Sequence, residues 1–352
     1  MGSTSPSEGI MSGFRPELLP IHVGSLPHED AQRACAAIRA YFPELPGWPQ
    51  LPKRSFRENM CVQFSEGFPG LVLEGERIYI DRTRDLSPDL ERLYLAYLEE
   101  DLESYGLGVS YAAGLEEWSR SEFHDCRAVK GQVTGPVSWG LTVVDQDRRP
   151  VLYDEVLADA VGKHLRLKAM WQERELRRLC PTTIILLDEP YMASFGSAYV
   201  ALAREQVVAL MKEVLGGLQG LTGVHCCGNT DWSVVLSVPL DVLSFDTYDY
   251  AESLSLYARE VKDFLARGGT IAWGIVPRDS DKLAVETPQS LVRKLLEAMN
   301  LLVEKGIALD TLLAASLISP CCGLGSLSVE DSERVLELTA GVSTEMRRRY
   351  LP

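Results

Sequence analysis

The sequence predicts a single (β/α)8 barrel, and three observations support that fold class. Its 352 residues fall in the range of one α/β barrel with insertions. Short apolar runs alternate with longer segments of helical spacing, which indicates parallel strands covered by helices. No GxGxxG or GxxxxGKS/T loop opens a βα unit, which disfavours a doubly wound open sheet. We expect the barrel over 14–352, after a flexible tail over 1–13.

Seven apolar runs are predicted strands, and their near-continuous apolar character is typical of strands buried on both faces. The eighth strand is assigned to the proline-broken stretch 47–54, which propensity alone does not favour. The seven runs are 18–25, 128–135, 183–190, 222–228, 241–246, 270–276 and 316–323.

Helices are predicted between these strands. The segment 287–305 has the clearest boundaries, because Thr287 can cap it, Pro288 suits its first turn and Gly306 follows its end. The others are expected at 152–178, 200–217, 254–267 and 328–340.

An insertion is predicted in an early βα loop. Residues 71–80 alternate as in a hairpin that turns at Glu74 and Gly75. A helix over 88–104 follows it and begins with Ser87-Pro88.

Composition excludes several classes of function. The formal net charge of −15 repels phosphate backbones, so nucleic acid is not an expected partner. No apolar run reaches the ~18 to 20 residues that a bilayer requires, and no secretory signal opens the chain, so we expect a cytoplasmic protein without a membrane partner. Eight cysteines in that compartment indicate reduced, buried or metal-binding thiols.

Two adjacent cysteine pairs, each followed by glycine, carry the clearest functional signal. His225 and Cys227 lie two residues apart on a predicted strand, so their side chains leave the same face, while Cys226 points the other way. Cys321 and Cys322 end the last strand, and the pattern leaves open which of them faces inward. Imidazole and thiolate donors suit zinc, which keeps one position for substrate in catalytic sites.

A fourth, exchangeable ligand is available in Asp246, which ends the strand after the histidine strand. A substrate thiol that displaces this carboxylate, or binds beside it, would be held as a thiolate near neutral pH. The sequence therefore predicts a zinc site that prepares a thiol nucleophile.

Six spaced motifs cover almost the whole predicted barrel. They are HVGSLP (22–27), VTGPVS (133–138), LDEP (187–190), HCC (225–227), LDVLSFD (240–246) and SPCCGL (319–324). In this order they resemble the catalytic barrel of cobalamin-independent methionine synthase, within the wider group that contains the uroporphyrinogen decarboxylases.

The resemblance implies a set of zinc ligands. The His-X-Cys pair corresponds to His225 and Cys227, and the cysteine directly before Gly-Leu corresponds to Cys322. The acid that closes the next strand corresponds to Asp246. That acid is usually glutamate in the family, so Asp246 is a departure and Asp249 is the alternative.

The resemblance also implies contacts with homocysteine. Asp188 would receive its amino group, and backbone amides around Val23, Gly24 and Ser25 would hold its carboxylate. A plain alternative reads Asp188 and Glu189 as a salt-bridging pair at a strand end.

The second strand departs from the family, which has a substrate-binding glutamate there. The first acid after 50–54 is Glu58, and Glu66 is the substitute that we nominate. His22 and His28, near the first strand, are candidates to relay the released proton, with structural hydrogen bonding as the alternative.

The length of the chain bears on the methyl donor. Folate-using synthases of the family carry a second, N-terminal barrel, whereas a single barrel resembles the short core methionine synthases and the methylcobamide:coenzyme M methyltransferases. We therefore expect homocysteine as the acceptor, and methylcobalamin, free or on a corrinoid protein, as the donor.

Three rival functions remain open. Coenzyme M or another small thiol could replace homocysteine, although a sulfonate requires a cationic anchor and LDEP offers acids suited to an ammonium. A metal-free decarboxylase would need arginines for substrate carboxylates, and a storage module would bind metal or corrinoid without turnover.

Overall fold

The computed structural model describes residues 13–123, 125–198 and 200–351. Six parallel strands form its central sheet, in the order β3-β5-β6-β7-β8-β9, and a second sheet has the order β1-β2-β4. The strands are β1 (Leu71–Glu74), β2 (Arg77–Ile80), β3 (Val129–Thr134), β4 (Val144–Asp145), β5 (Thr183–Asp188), β6 (Leu221–Cys226), β7 (Val242–Asp246), β8 (Thr270–Val276) and β9 (Ser316–Pro320).

Helices alternate with the strands of the central sheet. Short 3-10 turns occupy Phe56–Glu58, Glu103–Tyr105, Val151–Tyr153 and Pro190–Ser194. The α-helices are α1 (Ala31–Tyr41), α2 (Met60–Gln63), α3 (Ser87–Glu99), α4 (Ala113–Ser119), α5 (Pro136–Thr142), α6 (Glu155–Arg177), α7 (Arg204–Leu215), α8 (Trp232–Leu236), α9 (Thr247–Ser255), α10 (Ala258–Ala266), α11 (Ser280–Val285), α12 (Pro288–Val303), α13 (Leu309–Ala314) and α14 (Val329–Tyr350).

The central strands are buried on both faces, as their apolar sequences predict. Alternate residues of these strands, such as Ile184, Leu186 and Val242, pack together in a small inner core. Two residues beyond Leu186 along the same face of β5 lies Asp188, and β7 continues in the same way from Val242 to Asp246. The inner face therefore changes from apolar to polar toward the carboxyl ends of the strands.

Two predicted strands, 18–25 and 47–54, are present as bridged segments without a regular ladder. Prolines cause this, because Pro20, Pro49 and Pro52 have no N–H to donate. The segments nevertheless span from β9 to β3 through isolated parallel bridges, which pair Pro20 with Ile318, Ser25 with Gln50 and Gly47 with Lys130. The structure thus confirms six of the predicted strands in one curled parallel sheet.

The predicted hairpin insertion is confirmed. Strands β1 and β2 pair antiparallel, and Gly75 at their turn has a φ of +56°, which glycine adopts without strain. The following helix, α3, ends earlier than predicted, because Glu100 takes a left-handed conformation (φ 52°). The pattern did not predict β4, which pairs in parallel with β2.

The boundaries of other helices also differ from the prediction. The predicted helix 254–267 is divided between α9 and α10, and α14 extends ten residues beyond 340, to Tyr350. Thr287 caps α12 through Ser290 and Pro288 is its first residue, as predicted. The predicted tail lies outside the described residues except for Gly13. None of the described helices combines the length and apolar character needed to cross a bilayer.

Candidate metal centre

Three potential metal ligands converge at the carboxyl ends of β6 and β9. The ligand atoms of His225, Cys227 and Cys322 all lie within 4.8 Å of one another. Cys226 leaves the opposite face of β6 and is buried, with its thiol directed to the carbonyl of Gly228. Each cysteine pair is thereby separated, and Cys322 rather than Cys321 joins the histidine.

The imidazole of His225 is oriented by a neighbour that the sequence analysis missed. Ser244 lies directly opposite His225 in the register of β6 and β7, and its Oγ is 2.9 Å from Nδ1 of His225. Within the described residues, Nε2 of the same buried ring has no hydrogen-bond partner. Because Nδ1 is occupied, Nε2 is the nitrogen available to a metal.

One of the two cysteines of this group, Cys322, already favours ionisation. A hydrogen bond from the Cys227 thiol, with the charges of His225 and Arg278, lowers the pKa of Cys322 to about 4 against the opposing effect of burial. The same hydrogen bond, together with burial, raises the pKa of Cys227. Of the pair, Cys227 therefore keeps its proton and Cys322 is a thiolate, the form that binds metals.

The donor set fits zinc. One imidazole and two thiolates are soft and borderline ligands that zinc accepts in tetrahedral geometry, and three protein ligands leave one position for substrate. The unpartnered Nε2 of a buried histidine is a second indication, since a buried ring nitrogen is costly unless something binds it. We find no other such group of His, Cys, Asp or Glu in the described ranges.

The two predicted candidates for a fourth ligand have other partners. Asp246 ends β7 near the three ligands but outside their group, and its Oδ1 accepts a hydrogen bond of 3.0 Å from the Asp249 backbone to cap α9. Burial raises the pKa of Asp246 to about 6. Both carboxylate oxygens of Asp249 contact the Lys282 ammonium, at 2.6 and 2.9 Å. Asp246 therefore remains the candidate, because Asp249 is committed to an ion pair.

A cavity of about 390 Å³ opens beside the three ligands and is lined by Asp188 among other residues; we name it the Asp188 cavity. Asp188 is buried, and its Oδ1 has no hydrogen-bond partner within the described residues. Burial raises the pKa of this carboxyl to about 6, while the charge of Lys130 acts in the opposite direction. The cavity thus presents an acceptor oxygen that its surroundings leave free.

The neighbouring acid in LDEP has a different task. Glu189 is buried and accepts hydrogen bonds from the backbone N–H of Val137 (2.9 Å), the N–H of Ser138 (2.7 Å) and the Ser138 hydroxyl (2.6 Å). It therefore caps the N-terminus of α5. Gly135 is required here, because an added Cβ would lie 2.2 Å from the Glu189 carboxyl carbon.

The predicted carboxylate-binding segment borders the same cavity. Val23 and Ser25 line it, and the carbonyl of Val23 accepts a hydrogen bond from the buried Lys130 ammonium. Ser25 accepts hydrogen bonds from the backbone N–H of Leu324 (2.9 Å) and, through Oγ, of Gly325 (3.2 Å). These contacts hold the segment against the chain that follows Cys322.

Gly24 lies between Val23 and Ser25 at a close approach of two buried side chains. A Cβ added to Gly24 would lie 2.6 Å from Gln50 Oε1 and 3.0 Å from Gln132 Cδ. Glycine is therefore needed here for space.

Glu66 is not among the residues that line the Asp188 cavity. Its side chain is exposed, and its charge acts on Lys168 and Tyr111. The glutamate in the lining is Glu58, whose carboxylate is held by Arg54 at 2.7 Å and by the backbone N–H of Leu51 at 3.1 Å. The structure therefore leaves Glu66 outside the candidate site.

Neither proposed proton relay reaches the cavity. His22 is buried and does not line it, and burial lowers the pKa of this imidazole to about 3, so that it stays neutral. Nε2 of His28 lies 3.3 Å from Glu333. Neither histidine is therefore placed to take a proton from a thiol in the cavity.

A second cavity, of about 480 Å³, is also lined by these cysteines and contains Asp246; we name it the Asp246 cavity. Cys227, Cys322 and Arg278 line both cavities. The candidate metal centre therefore borders two cavities.

No protein-family model matches this chain, and no curated protein matches it. Among solved structures, the chain is similar to a B12-independent methionine synthase from Shewanella sp. W3-18-1 in complex with selenomethionine. The identity is 17%, the TM-score is 0.47, and the match covers 64% of this chain and 63% of that chain.

Proposed function

We propose that this chain is a zinc-dependent S-methyltransferase of the methionine synthase-like group, with homocysteine as its thiol substrate. One observation carries the proposal: three zinc-type ligand atoms lie within 4.8 Å of one another, beside a cavity with a free, buried carboxylate oxygen. The cavity of about 390 Å³ has room for a small amino-acid thiol. We further propose that 14–352 form one cytoplasmic catalytic domain, an eight-stranded barrel in which the bridged segments replace two strands.

The chemistry requires little besides a prepared thiol. Zinc on His225, Cys227 and Cys322 would lower the pKa of a thiol at the open position, so that it is a thiolate near neutral pH. Asp188 accepts hydrogen bonds from the substrate ammonium and so aligns the sulfur. Asp246, which lies next to the three ligands, can hold the open position until the thiol arrives.

We propose methylcobalamin, free or on a corrinoid protein, as the methyl donor. The thiolate sulfur forms a bond to the methyl carbon, and the carbon–cobalt bond breaks with its electron pair remaining on cobalt, to give methionine and cob(I)alamin. The thiol proton is released to solvent. The Asp246 cavity supports this arrangement, because it is a second cavity lined by the same two cysteines.

Metal content tests the ligand assignment. We expect about one zinc per chain, and we expect Cys227→Ala and Cys322→Ala to lose it, since two protein ligands hold zinc poorly. The matched controls are Cys226→Ala and Cys321→Ala, which remove a buried neighbouring thiol and should keep the metal. Elemental analysis of protein prepared without chelators measures both. Equal zinc in all four variants would contradict the proposed site.

Methyl transfer tests the reaction. Methylcobalamin and methyltetrahydrofolate are compared side by side with homocysteine, and with coenzyme M as a second thiol. We expect methionine from methylcobalamin; turnover of coenzyme M alone would assign another acceptor. Tight zinc without any transfer would favour the storage module, and a zinc-free protein that is indifferent to Cys227→Ala would favour the decarboxylase.

A further inference from the structure

We propose that Arg278 binds the anionic group of the thiol substrate, so that the site selects its substrate by two opposite charges, Arg278 and Asp188. Arg278 is a cationic anchor that the sequence pattern did not reveal. The inference deepens the proposed function and rests on it for the identity of the ligand as a thiol.

The position of Arg278 places its charge beside the candidate metal centre. It follows the end of β8 after Pro277 and lines both the Asp188 cavity and the Asp246 cavity. Its positive charge acts to lower the pKa of both Cys227 and Cys322, so the guanidinium lies within electrostatic reach of the ligands.

The guanidinium of Arg278 is free to bind a ligand. Over the parts of the chain that the structure describes, it forms no hydrogen bond and no ion pair. Arg278 is exposed and lines the cavity, so its side chain can turn toward a ligand there. Guanidinium groups bind carboxylates and sulfonates through two parallel hydrogen bonds.

The other charged groups near the Asp188 cavity already have partners. Glu58 in its lining is paired with Arg54, and the buried Lys130 donates to the Val23 carbonyl and to Gln132 Oε1. Lys282, in the Asp246 cavity, is paired with Asp249. Among the described residues that line the Asp188 cavity, the acid with a free oxygen is Asp188 and the free base is Arg278.

One free acid and one free base in the same small cavity complement a zwitterion. The ammonium and carboxylate of an amino-acid thiol sit on one carbon, and Asp188, Arg278 and the three candidate metal ligands line the same cavity. Each charge should then contribute separately to recognition. A thiol that lacks one charge should lose the contribution of one residue only.

Thiol binding to the Co(II)-substituted protein tests this, because the absorption of the metal reports a bound thiol without turnover. The probes are homocysteine, 4-mercaptobutyrate, which lacks the ammonium, and 3-aminopropanethiol, which lacks the carboxylate. We expect Arg278→Gln to lower the affinity for homocysteine and for 4-mercaptobutyrate by about 10- to 100-fold. The affinity for 3-aminopropanethiol should stay within about twofold of the wild-type value. Asp188→Asn should instead lower the affinity for homocysteine and for 3-aminopropanethiol.

The control is Arg259→Gln, the same change on the exposed surface of α10, which should bind all three thiols as the wild type does. Metal content and thermal unfolding verify that each variant is folded and loaded. If Arg278→Gln lowers the affinity for all three thiols equally, or for none of them, Arg278 does not bind the carboxylate. The proposed thiol site would be unaffected by that result. If no thiol perturbs the metal of the wild-type protein, the proposed function itself fails, and the anchor with it.

Discussion

Ser244 has the most direct influence on how His225 can meet a metal. Its hydroxyl lies 2.9 Å from Nδ1, and this contact sets both the ring orientation and the nitrogen that remains free. Second partners of this kind raise the basicity of a ligating histidine and hold its tautomer. Ser244 lies two residues before Asp246 in LSFD, so its place on the inner face could have been inferred from the strand period.

We expect Ser244→Ala to weaken zinc binding by about 10- to 100-fold, because the ring of His225 loses the contact that orients it. Competition with a chelator of known affinity measures this. Ser316→Ala is the matched control, since that buried hydroxyl on β9 bonds to Trp273 Nε1 and the Leu312 carbonyl. The role assigned to Ser244 is wrong if both variants hold zinc as tightly as the wild type.

At the scale of single elements, adjacent residues at the end of a strand point in different directions and have different roles. In LDEP, Asp188 faces the cavity, whereas Glu189 turns away to cap α5 on the adjacent βα unit. The sequence suggested an acid at this strand end, but the salt-bridge alternative is wrong because Glu189 finds helix N–H donors. The division could not be predicted, since the start of α5 lies 52 residues earlier in the chain.

Glu189→Gln tests this cap. An amide can offer only one acceptor oxygen, and its NH2 group would face a backbone donor of α5, which leaves a buried N–H unsatisfied. We expect the free energy of unfolding to fall by about 1–3 kcal/mol. Urea unfolding measures the change, with Glu205→Gln in the exposed first turn of α7 as the control. Equal losses in both variants would contradict the capping role.

At the scale of the whole molecule, the polar groups inside the core make stability depend on pH. His164 of α6 is buried, with Nε2 2.7 Å from the Phe64 carbonyl, and burial lowers its pKa from 6.5 to about 3. Below about pH 6.5, His164 therefore binds a proton in the unfolded chain but stays neutral in the folded chain. The stability due to neutral His164 is complete above pH 6.5 and is lost progressively as the pH falls toward 3.

We expect His164→Gln to reduce the acid sensitivity of the fold, because glutamine can keep a hydrogen bond to Phe64 and does not titrate. Between about pH 7.5 and about pH 5, the wild type should lose about 2 kcal/mol more unfolding free energy than the variant. Urea unfolding at both pH values measures the difference. Parallel losses would show that His164 is not a buried neutral group.

The bridged connection from β9 to β3 is also a property of the whole molecule. Segment 18–25 is held by isolated bridges and by α14, whose Ser343 donates a hydrogen bond of 2.7 Å to the Leu18 carbonyl. The prolines in 18–25 and 47–54 prevent regular ladders, so the predicted strands appear only as bridged segments. The prolines predict locally that a regular ladder cannot form. The contacts that replace the ladder come from residues near the far end of the chain, so they cannot be predicted locally.

The sequence alone determined what depends on short spacing. The two-residue period of a strand puts His225 and Cys227 on one face and turns Cys226 away, and the alternation of apolar runs with helical segments predicts the parallel sheet. Only the tertiary structure decided which distant groups join that face. Cys322 rather than Cys321, Ser244 beside the imidazole and the free Arg278 all depend on strand register and on loops that no local pattern encodes.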